Sequence, residues 1–269
     1  MKTTSLIVFV ACTILTVGGC FTAKDARKEE QPTSPSVPET KKPPAPDITL
    51  KVGSINLTNL AKRVEKKDVE EFGHLLKKEK IDILTLQGVA RYPGVETRID
   101  IVNEIGAQTE MRQAFGETIT LSGKQSGNAV FSLYPIKSTE NTRYDGLHSS
   151  SFEAALQAVV DCGVRDIVVI VTGVPDSIVD DDRRTIANKL SSFGIVYINN
   201  PLIIAGNLPL PDTLRASEQF DSMKPQSGDP PLVWFSRGEA MKFQSQDMIV
   251  TPLGAMTVVQ FALFRQPGP

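Results

Sequence analysis

Residues 82–89 have the sequence Asp-Ile-Leu-Thr-Leu-Gln-Gly-Val, and this stretch decides the fold. The apolar run from Ile81 to Gln87 predicts a short strand that is buried within a sheet. On either side of it, apolar residues recur at helical spacing, which predicts helices at Lys67 to Lys80 and at Glu96 to Gln108. Earlier in the chain, Ile48 to Asn56 begins with alternating apolar and polar residues and predicts another strand. The order strand, helix, strand, helix is typical of an α/β arrangement.

After Met111 the pattern changes to a series of short strands around one more helix. Residues 151–160 also fit a helix by propensity, but their β-branched end and the turn Asp161-Cys162-Gly163 favour a hairpin. The strands are predicted at Thr118–Leu121, Ala129–Tyr134, Ala154–Val160, Arg165–Thr172, Leu202–Ala205, Leu232–Phe235, Met241–Val250 and Ala255–Phe264, the helix at Asp180–Phe193 and a loop-rich insert at Pro209–Gly228.

About ten strands and three helices in ~220 residues predict an α+β fold in which two sheets form a sandwich and the helices lie outside. Short apolar runs of this kind are required where a sheet is covered on both faces. Seven residues of these runs are expected in the core: Leu84, Leu86, Val130, Val169, Val171, Ile203 and Ile204.

The composition of the 269 residues, with 41% apolar and 22% charged residues, is that of an ordinary globular protein. A net charge of -2 provides no basic field, so strong non-specific nucleic-acid binding is not expected. Two of the three cysteines lie in the first twenty residues, which leaves Cys162 alone in the body of the protein. The sequence therefore predicts no internal disulfide framework.

The first residues indicate a targeting segment. A basic start precedes the apolar run Leu6 to Val17, which is too short to span a bilayer comfortably. The run ends in Val17-Gly18-Gly19-Cys20, which resembles the bacterial lipobox, and this resemblance implies a lipoprotein signal peptide at residues 1–19 and acylation of Cys20. An ordinary cleaved signal peptide with an incidental cysteine is the alternative. Phe21 follows the cysteine, and in lipoproteins of double-membraned bacteria a residue other than Asp there implies sorting to the outer membrane, facing the periplasm.

Residues 20–47 form a polar, proline-rich segment that cannot build a core. We expect a disordered tether, with a ligand for a proline-recognising domain as the weaker alternative. Between random-coil and polyproline limits it spans about 30 to 80 Å. The tether would hold the folded body, residues 48–269, away from the lipid surface.

Six segments of this body, taken in order, resemble the deoxyribonuclease-I-like endonuclease/exonuclease/phosphatase superfamily. They are Ile55-Asn56, residues 82–89, residues 127–136 (Gly-Asn-Ala-Val-Phe-Ser-Leu-Tyr-Pro-Ile), residues 171–174, residues 204–209 and residues 254–259. The resemblance implies a four-layer α/β/β/α sandwich of two mixed sheets flanked by helices. It also implies the chemistry of the family, a Mg²⁺-dependent attack on a phosphate ester.

The sequence departs from the family pattern at nearly every catalytic position. The metal-binding glutamate is replaced by Gly88, the histidine after Thr by Gly173, the Asp and Asn of Gly-Asp-x-Asn by Asn207 and Pro209, and the closing Asp-His pair by Ala255 and Met256; only Asn56 and the scaffold residue Asn128 match. Mg²⁺ prefers carboxylate oxygens, and proton transfer needs a titratable group. We therefore expect vestigial positions without a metal, a cofactor or a catalytic residue.

Other candidate sites have simpler structural explanations. Three successive carboxylates, Asp180–Asp182, complement a helix N-terminus more readily than they bind a metal. His74 and His148 lack metal-ligand spacing, and no nucleophile elbow accompanies His148. The glycine-rich segment Gly123–Gly127 indicates a hairpin turn rather than a phosphate loop, and Cys162 a small turn residue rather than a reactive thiol.

Three functions remain open at this point. The favoured one is a pseudoenzyme, anchored in the bilayer by Cys20, that binds an envelope protein, a glycan or a phosphorylated ligand without hydrolysing it. The alternative is a divergent metal-dependent phosphodiesterase or phosphatase with a relocated site, for which Glu96, Asp100, Asp145 and Asp247 are candidate ligands. The third is a surface or spacer protein without a small-molecule site.

Overall fold

The computed structural model describes residues 45–58, 60, 64–92, 98–144, 147, 154–173, 178–206, 220–222, 232–236 and 238–265. The predicted signal peptide, Cys20 and the tether up to residue 44 lie outside the described residues, as do Glu96, Asp145, His148, Asn207 and Pro209. None of the described helices is long and apolar enough to cross a membrane.

The described residues form twelve strands and three helices. In chain order these are β1 (Ile48–Asn56), α1 (Lys66–Glu79), β2 (Ile83–Arg91), α2 (Ile101–Thr109), β3 (Arg112–Leu121), β4 (Lys124–Ser132), β5 (Ile136–Arg143), β6 (Ala154–Asp161), β7 (Asp166–Val171), α3 (Asp180–Val196), β8 (Leu202–Gly206), β9 (Phe220–Ser222), β10 (Leu232–Ser236), β11 (Met241–Thr251) and β12 (Gly254–Leu263). The strand prediction at Ile48–Asn56 is confirmed to the residue, and the hairpin predicted from Ala154–Val160 and Arg165–Thr172 is formed by β6 and β7.

The strands make two six-stranded mixed sheets. The first sheet has the order β11-β12-β1-β2-β4-β3, and the second has the order β5-β6-β7-β8-β10-β9. One parallel pair lies near the middle of each sheet, β1 with β2 and β7 with β8, while the other pairs are antiparallel. The carboxyl ends of β1 and β2 therefore meet at one edge of the first sheet, and those of β7 and β8 at one edge of the second.

Three apolar clusters separate four layers. The sheets pack face to face through residues such as Val52, Ile83 and Val169. Apolar residues of α1 and α2 cover the outer face of the first sheet, and those of α3 cover the outer face of the second. The predicted four-layer α/β/β/α sandwich is confirmed. All seven predicted core residues are fully buried.

The central strand β2 shows why a continuous apolar run was needed. Leu84 and Leu86 pack beneath the two helices, whereas Ile83 faces the second sheet. Both faces of the strand are thus covered, so both sets of alternating side chains must be apolar. At Thr85 and Gln87 the face toward the second sheet becomes polar, although both residues remain buried.

Some predicted elements were wrong or incomplete. The sequence analysis did not predict β5, and the insert predicted to be loop-rich at residues 209–228 contains the three-residue strand β9. The helix predicted from Glu96 begins at Ile101, because the side chain of Asp100 caps it by accepting a hydrogen bond from the Asn103 N–H. β3 and β4 are also longer than predicted.

Candidate functional site

The carboxyl ends of the central strands bring several predicted site positions together around Gln87. Asn56 lies beside Gln87 in the parallel register of β1 and β2. From the second sheet, Gly173 and Gly206 approach the same side chain. A β-carbon added at Gly173 would lie 3.9 Å from Gln87 Cβ, and one added at Gly206 would lie 3.6 Å from Gln87 Cγ. We call Asn56, Gln87, Gly88, Gly173 and Ala255 the strand-end site.

The floor of this site is a small buried polar network. Gln87 Nε2 donates to Ser54 Oγ at 3.2 Å and to Thr85 Oγ1 at 3.5 Å. Ser54 of β1 is the register partner of Thr257 on the neighbouring strand β12. All four residues are buried. Within the described structure, Gln87 Oε1 and Thr257 Oγ1 are buried without a hydrogen-bond partner. A carbonyl oxygen and a hydroxyl group therefore keep unused hydrogen-bonding capacity within this buried polar network.

Gly88 occupies the position at which the family resemblance implies a metal-binding glutamate. Its φ of 62° is in the left-handed region that favours glycine. A β-carbon at this position would lie 2.7 Å from Thr58 Cα, and Thr58 Oγ1 would be closer still. The segment after β1 is held there because the Leu57 N–H donates to the Gln87 carbonyl oxygen at 2.8 Å. Thr58 thus fills the space in which the glutamate side chain would begin.

Asn56 matches the family pattern, but its amide oxygen is already engaged. The Thr58 N–H donates to Asn56 Oδ1 at 2.9 Å, which closes a local turn after β1. Asn128, the other matching residue, donates from Nδ2 to the Ala154 carbonyl oxygen at 2.9 Å and is buried. This contact joins β4 to β6 across the two sheets, in agreement with a scaffold role.

The two residues compared with the closing Asp-His pair lie on opposite faces of β12. Met256 is fully buried on the side of the first sheet that faces the helices, together with Ile55. Strand alternation places Ala255 on the other face, together with Thr257. Of the two positions, the one on the face toward the site is therefore Ala255, whereas Met256 packs toward the helices. The methyl group of Ala255 cannot carry a proton.

Comparisons with known proteins were made for the sequence and for the structure. No family model matches the sequence, and no curated protein matches it at a significant level. Solved structures do match. The catalytic domain of human nocturnin is 15% identical over 80% of this chain and 93% of that chain, with a TM-score of 0.64. An endonuclease/exonuclease/phosphatase from Beutenbergia cavernae is 16% identical over 80% and 72% of the two chains, also with a TM-score of 0.64.

A family protein from Bacteroides thetaiotaomicron is 10% identical, with coverage of 81% and 99% and a TM-score of 0.61. The fold is that of the endonuclease/exonuclease/phosphatase superfamily. At these identities the likeness concerns the fold, and the chemistry has to be judged from the residues present.

The described residues of this endonuclease/exonuclease/phosphatase fold do not fit the Mg²⁺ ion that the family uses. Gly88, Gly173 and Ala255 provide no side-chain oxygen, and the Asn56 amide oxygen accepts a backbone hydrogen bond. Mg²⁺ is usually held by at least one carboxylate. No group of three His, Cys, Asp or Glu residues in the described part of the chain could hold a metal ion.

Two of the candidate ligands for a relocated metal site have other positions. Asp100 caps α2 and accepts hydrogen bonds from Arg91 Nε and from a terminal Arg91 nitrogen, both at 3.0 Å. Asp247 is exposed on β11 and pairs with Val258, which faces the helices and not the second sheet. The Asp100 carboxylate is thus engaged by Arg91, and that of Asp247 lies on the exposed strand β11. Glu96 and Asp145, the other two candidates, lie outside the described residues.

A cavity of about 300 Å³ lies directly beside Gly88. Its walls include apolar residues such as Leu57 and Ile99, and its polar part includes Thr58, Tyr92, Arg98 and Lys124. The Arg98 guanidinium lies over the Tyr92 ring, 5.4 Å from its centroid. None of the described lining residues is acidic. We call this space the cationic cavity; its chemistry suits an anionic ligand that has an apolar portion.

The remaining sequence candidates have structural roles. Asp180 and Asp181 begin α3 and pair with Arg183 and Arg184 at 3.6 Å and 3.2 Å, which confirms the prediction of a charged helix N-terminus. His74 is exposed on α1. The turn predicted at Gly123–Gly127 is confirmed in part, because Ser122 and Gly123 form the turn between β3 and β4 and the residues from Lys124 onward belong to β4.

Cys162 is a buried turn residue between β6 and β7. Burial raises the pKa of its thiol to about 12, and the nearby carboxylate of Asp82 acts in the same direction. A thiol with such a pKa stays protonated at neutral pH and is a poor nucleophile. The structure therefore supports the prediction of a small turn residue.

Proposed function

We propose that this protein is a lipid-anchored binding protein of the bacterial cell envelope, in which an endonuclease/exonuclease/phosphatase fold has lost its catalytic chemistry. The observation that carries the proposal is the contact between Gly88 and Thr58. Replacing an active-site glutamate by glycine could in principle be reversed by one substitution. Here the segment after β1 occupies the space that the side chain would need, so the site has been rebuilt around the loss.

The neighbouring positions support the same conclusion. A metal-dependent phosphoesterase must hold its cation and generate a nucleophile at neutral pH. Gly173 and Ala255 supply neither a carboxylate nor a proton carrier, and the Asn56 oxygen is engaged. Removing one electrostatic contact from an active site lowers turnover by about 10² to 10³. Several such losses leave no group among the described residues of the strand-end site that could perform the reaction.

The cationic cavity supports a binding function. Two positive side chains, Arg98 and Lys124, line a space whose other walls are largely apolar, and it adjoins Gly88. An anion with an apolar portion, such as a phosphate monoester of an aromatic or aliphatic group, satisfies both parts of this lining. We therefore propose that the ligand is phosphorylated and is held without hydrolysis.

Anchoring at the membrane is the second part of the proposal. It is supported by the lipobox-like sequence before Cys20 and by the proline-rich tether that follows it. Two or three acyl chains on one residue retain a protein on a bilayer far better than a single chain does. Phe21 after the cysteine favours the outer membrane, with the folded body in the periplasm.

The test of lost catalysis is an assay of the purified protein on a chromogenic phosphodiester and on plasmid DNA, with Mg²⁺, Mn²⁺ or Ca²⁺. We expect no metal-dependent turnover above background. Asn56→Ala is the matched control, because it removes the one site position that still follows the family pattern. Metal-dependent turnover that falls in this variant would contradict the proposal and would favour a divergent hydrolase.

The test of binding compares phenyl phosphate with inorganic phosphate by calorimetry. We expect phenyl phosphate to bind more tightly, because only its ring can contact the apolar walls. Arg98→Gln and Lys124→Gln should each weaken binding about tenfold or more, since a charged hydrogen bond contributes about 1.5–3 kcal/mol. Arg184→Gln is the control, because Arg184 pairs with Asp181 on α3. Affinity unchanged in both cavity variants would place the ligand elsewhere.

A further inference from the structure

The end of α3 carries an exposed aliphatic surface that the binding function does not use. Ile195, Val196 and Ile198 have exposed fractions of 67%, 68% and 75%. Tyr197, between them, points inward and donates from its hydroxyl to Gln157 Oε1 at 2.8 Å, which fixes the segment. We call residues 195–198 the aliphatic turn. Three large apolar side chains that are exposed within four consecutive residues make this segment a candidate contact site.

The surroundings of the aliphatic turn in sequence are free of charge. The chain has no charged residue between Lys189 and Asp212, and the turn itself is followed by Asn199 and Asn200. A charged group costs far more to remove from water than an aliphatic side chain, which gains from the transfer. No charged side chain of the segment itself therefore has to leave water; the charge that acts on it from a neighbouring element is the carboxylate of Glu140, near Tyr197.

The aliphatic turn lies at the end of the domain where the tether joins the folded body. In segment 264–265, the Arg265 N–H donates to Asp47 Oδ2 at 2.7 Å. The Phe264 carbonyl oxygen accepts a hydrogen bond from Arg165 Nε at 2.6 Å. Asp166 follows Arg165 in the chain, and its carbonyl oxygen accepts a hydrogen bond from Asn200 Nδ2 at 3.4 Å. The start of the folded body and the residue that ends the turn region are therefore linked in steps, through segment 264–265 and Arg165–Asp166, at one end of the domain.

The strand-end site lies at the opposite end. β1 begins at Ile48, beside the tether, and ends at Asn56, in the site. A strand of nine residues rises by about 3.3 Å per residue, so the two ends are about 25 to 30 Å apart. A membrane that contacts the domain at the end where the tether joins it would therefore leave the cationic cavity open to the solvent.

We infer that the aliphatic turn contacts the lipid surface to which the protein is anchored, an inference that rests on the proposed acylation of Cys20. Binding at a membrane interface increases with the apolar area that is buried there. Three side chains alone give a weak contact, but a tether keeps the domain at a high effective concentration near the bilayer. The turn then orients the domain, with the cavity facing away from the membrane.

The experiment uses the acylated protein, purified from the envelope and reconstituted in vesicles of phosphatidylethanolamine and phosphatidylglycerol. An environment-sensitive fluorophore is attached through Val196→Cys or, as the control, through Leu121→Cys. Both native residues are 68% exposed, but Leu121 lies at the tip of the β3–β4 hairpin, at the cavity end. The buried thiol of Cys162 is not expected to react with the label.

With brominated lipids in the vesicles, we expect loss of emission from the label at position 196 and none from the label at position 121. Equal emission at both positions, from protein that floats with the vesicles, would overturn the inference and leave the anchor intact. A label at 196 that is shielded from water but not quenched by bromine would mean that a protein covers the turn, and would also overturn it. Protein that does not float, with an unmodified Cys20, would overturn the anchor and the inference together.

Discussion

Gly88 has a backbone conformation and a neighbour that both oppose a side chain. A left-handed φ costs a residue with a β-carbon about 1–2 kcal/mol. Gly123 has a similar φ of 79°, but a β-carbon there would meet nothing within 4 Å. Gly123→Ala should therefore lower the free energy of unfolding by about 1–2 kcal/mol, and Gly88→Ala by about 1–3 kcal/mol more, because Thr58 must move. Denaturant titration measures both; equal losses would show that Thr58 does not fill the site.

Cys162 gives a second prediction at the scale of one residue. Because its thiol is buried and its pKa is raised to about 12, alkylation at pH 8 should be slow in the folded protein and should become fast on unfolding. Leu121→Cys provides an exposed thiol on the same chain for comparison. Rapid alkylation of native Cys162, at a rate near that of position 121, would contradict the buried environment.

The same thiol makes the stability of the fold depend on pH in the alkaline range. In the unfolded chain its pKa is near the ordinary value of 9.0, whereas in the folded protein it is about 12. Between these values the unfolded state releases the proton and the folded state keeps it. The free energy of unfolding should therefore fall as the pH rises from about 9 to about 12, and this slope should be shallower in Cys162→Ala. Unfolding curves at several pH values give the slope.

Individual residues of the site were predictable only where a sequence motif marked them. The departures at Gly88 and Gly173 follow directly from the comparison of motifs. The direction of Met256 does not, because a shift of one residue turns a strand side chain to the other face. Arg98 and Lys124 meet at one cavity although 25 residues separate them in the sequence, and only the folded arrangement of β2, α2 and β4 brings them together.

At the scale of elements, the buried strands should tolerate truncation least. Ile204 of β8 is fully buried beneath α3. Ile204→Ala should lower the free energy of unfolding by about 2–5 kcal/mol, because it leaves a cavity in a close-packed layer. Ile198→Ala, which removes the same atoms from a side chain that is 75% exposed, should change it by less than about 0.5 kcal/mol. Thermal and denaturant unfolding compare the two, and a small loss at Ile204 would contradict the packing of β8 against α3.

Elements were predictable in proportion to their burial. β1, β2 and β8 have apolar runs or alternation because both of their faces are covered, and each was predicted at the right place. β5 has the sequence Ile-Lys-Ser-Thr-Glu-Asn-Thr-Arg and lies at the edge of its sheet, with mostly exposed residues. The sequence of this edge strand does not alternate between apolar and polar residues, so the strand is recognised only by its hydrogen-bonded pairing with β6.

On the scale of the whole molecule, the fold separates two ends with different chemistry. The tether joins the folded body at the first residue of β1, at the same end as the aliphatic turn, and the strand-end site lies where β1 ends. If Cys20 is acylated and the aliphatic turn meets the lipid surface, as proposed, the cavity faces away from the membrane.

The anchor itself is the prediction on which that arrangement depends. We expect mass spectrometry of the protein from membranes to find a mature N-terminus at Cys20 that carries acyl chains, and we expect the protein to partition with membranes. Cys20→Ala should leave the precursor uncleaved by the lipoprotein signal peptidase, because the cysteine is acylated before cleavage. Cys162→Ala is the matched control and should be processed normally, since Cys162 lies far outside the lipobox-like sequence that ends at Cys20. A mature N-terminus at any other residue would contradict the lipoprotein assignment and would leave the domain free of the membrane.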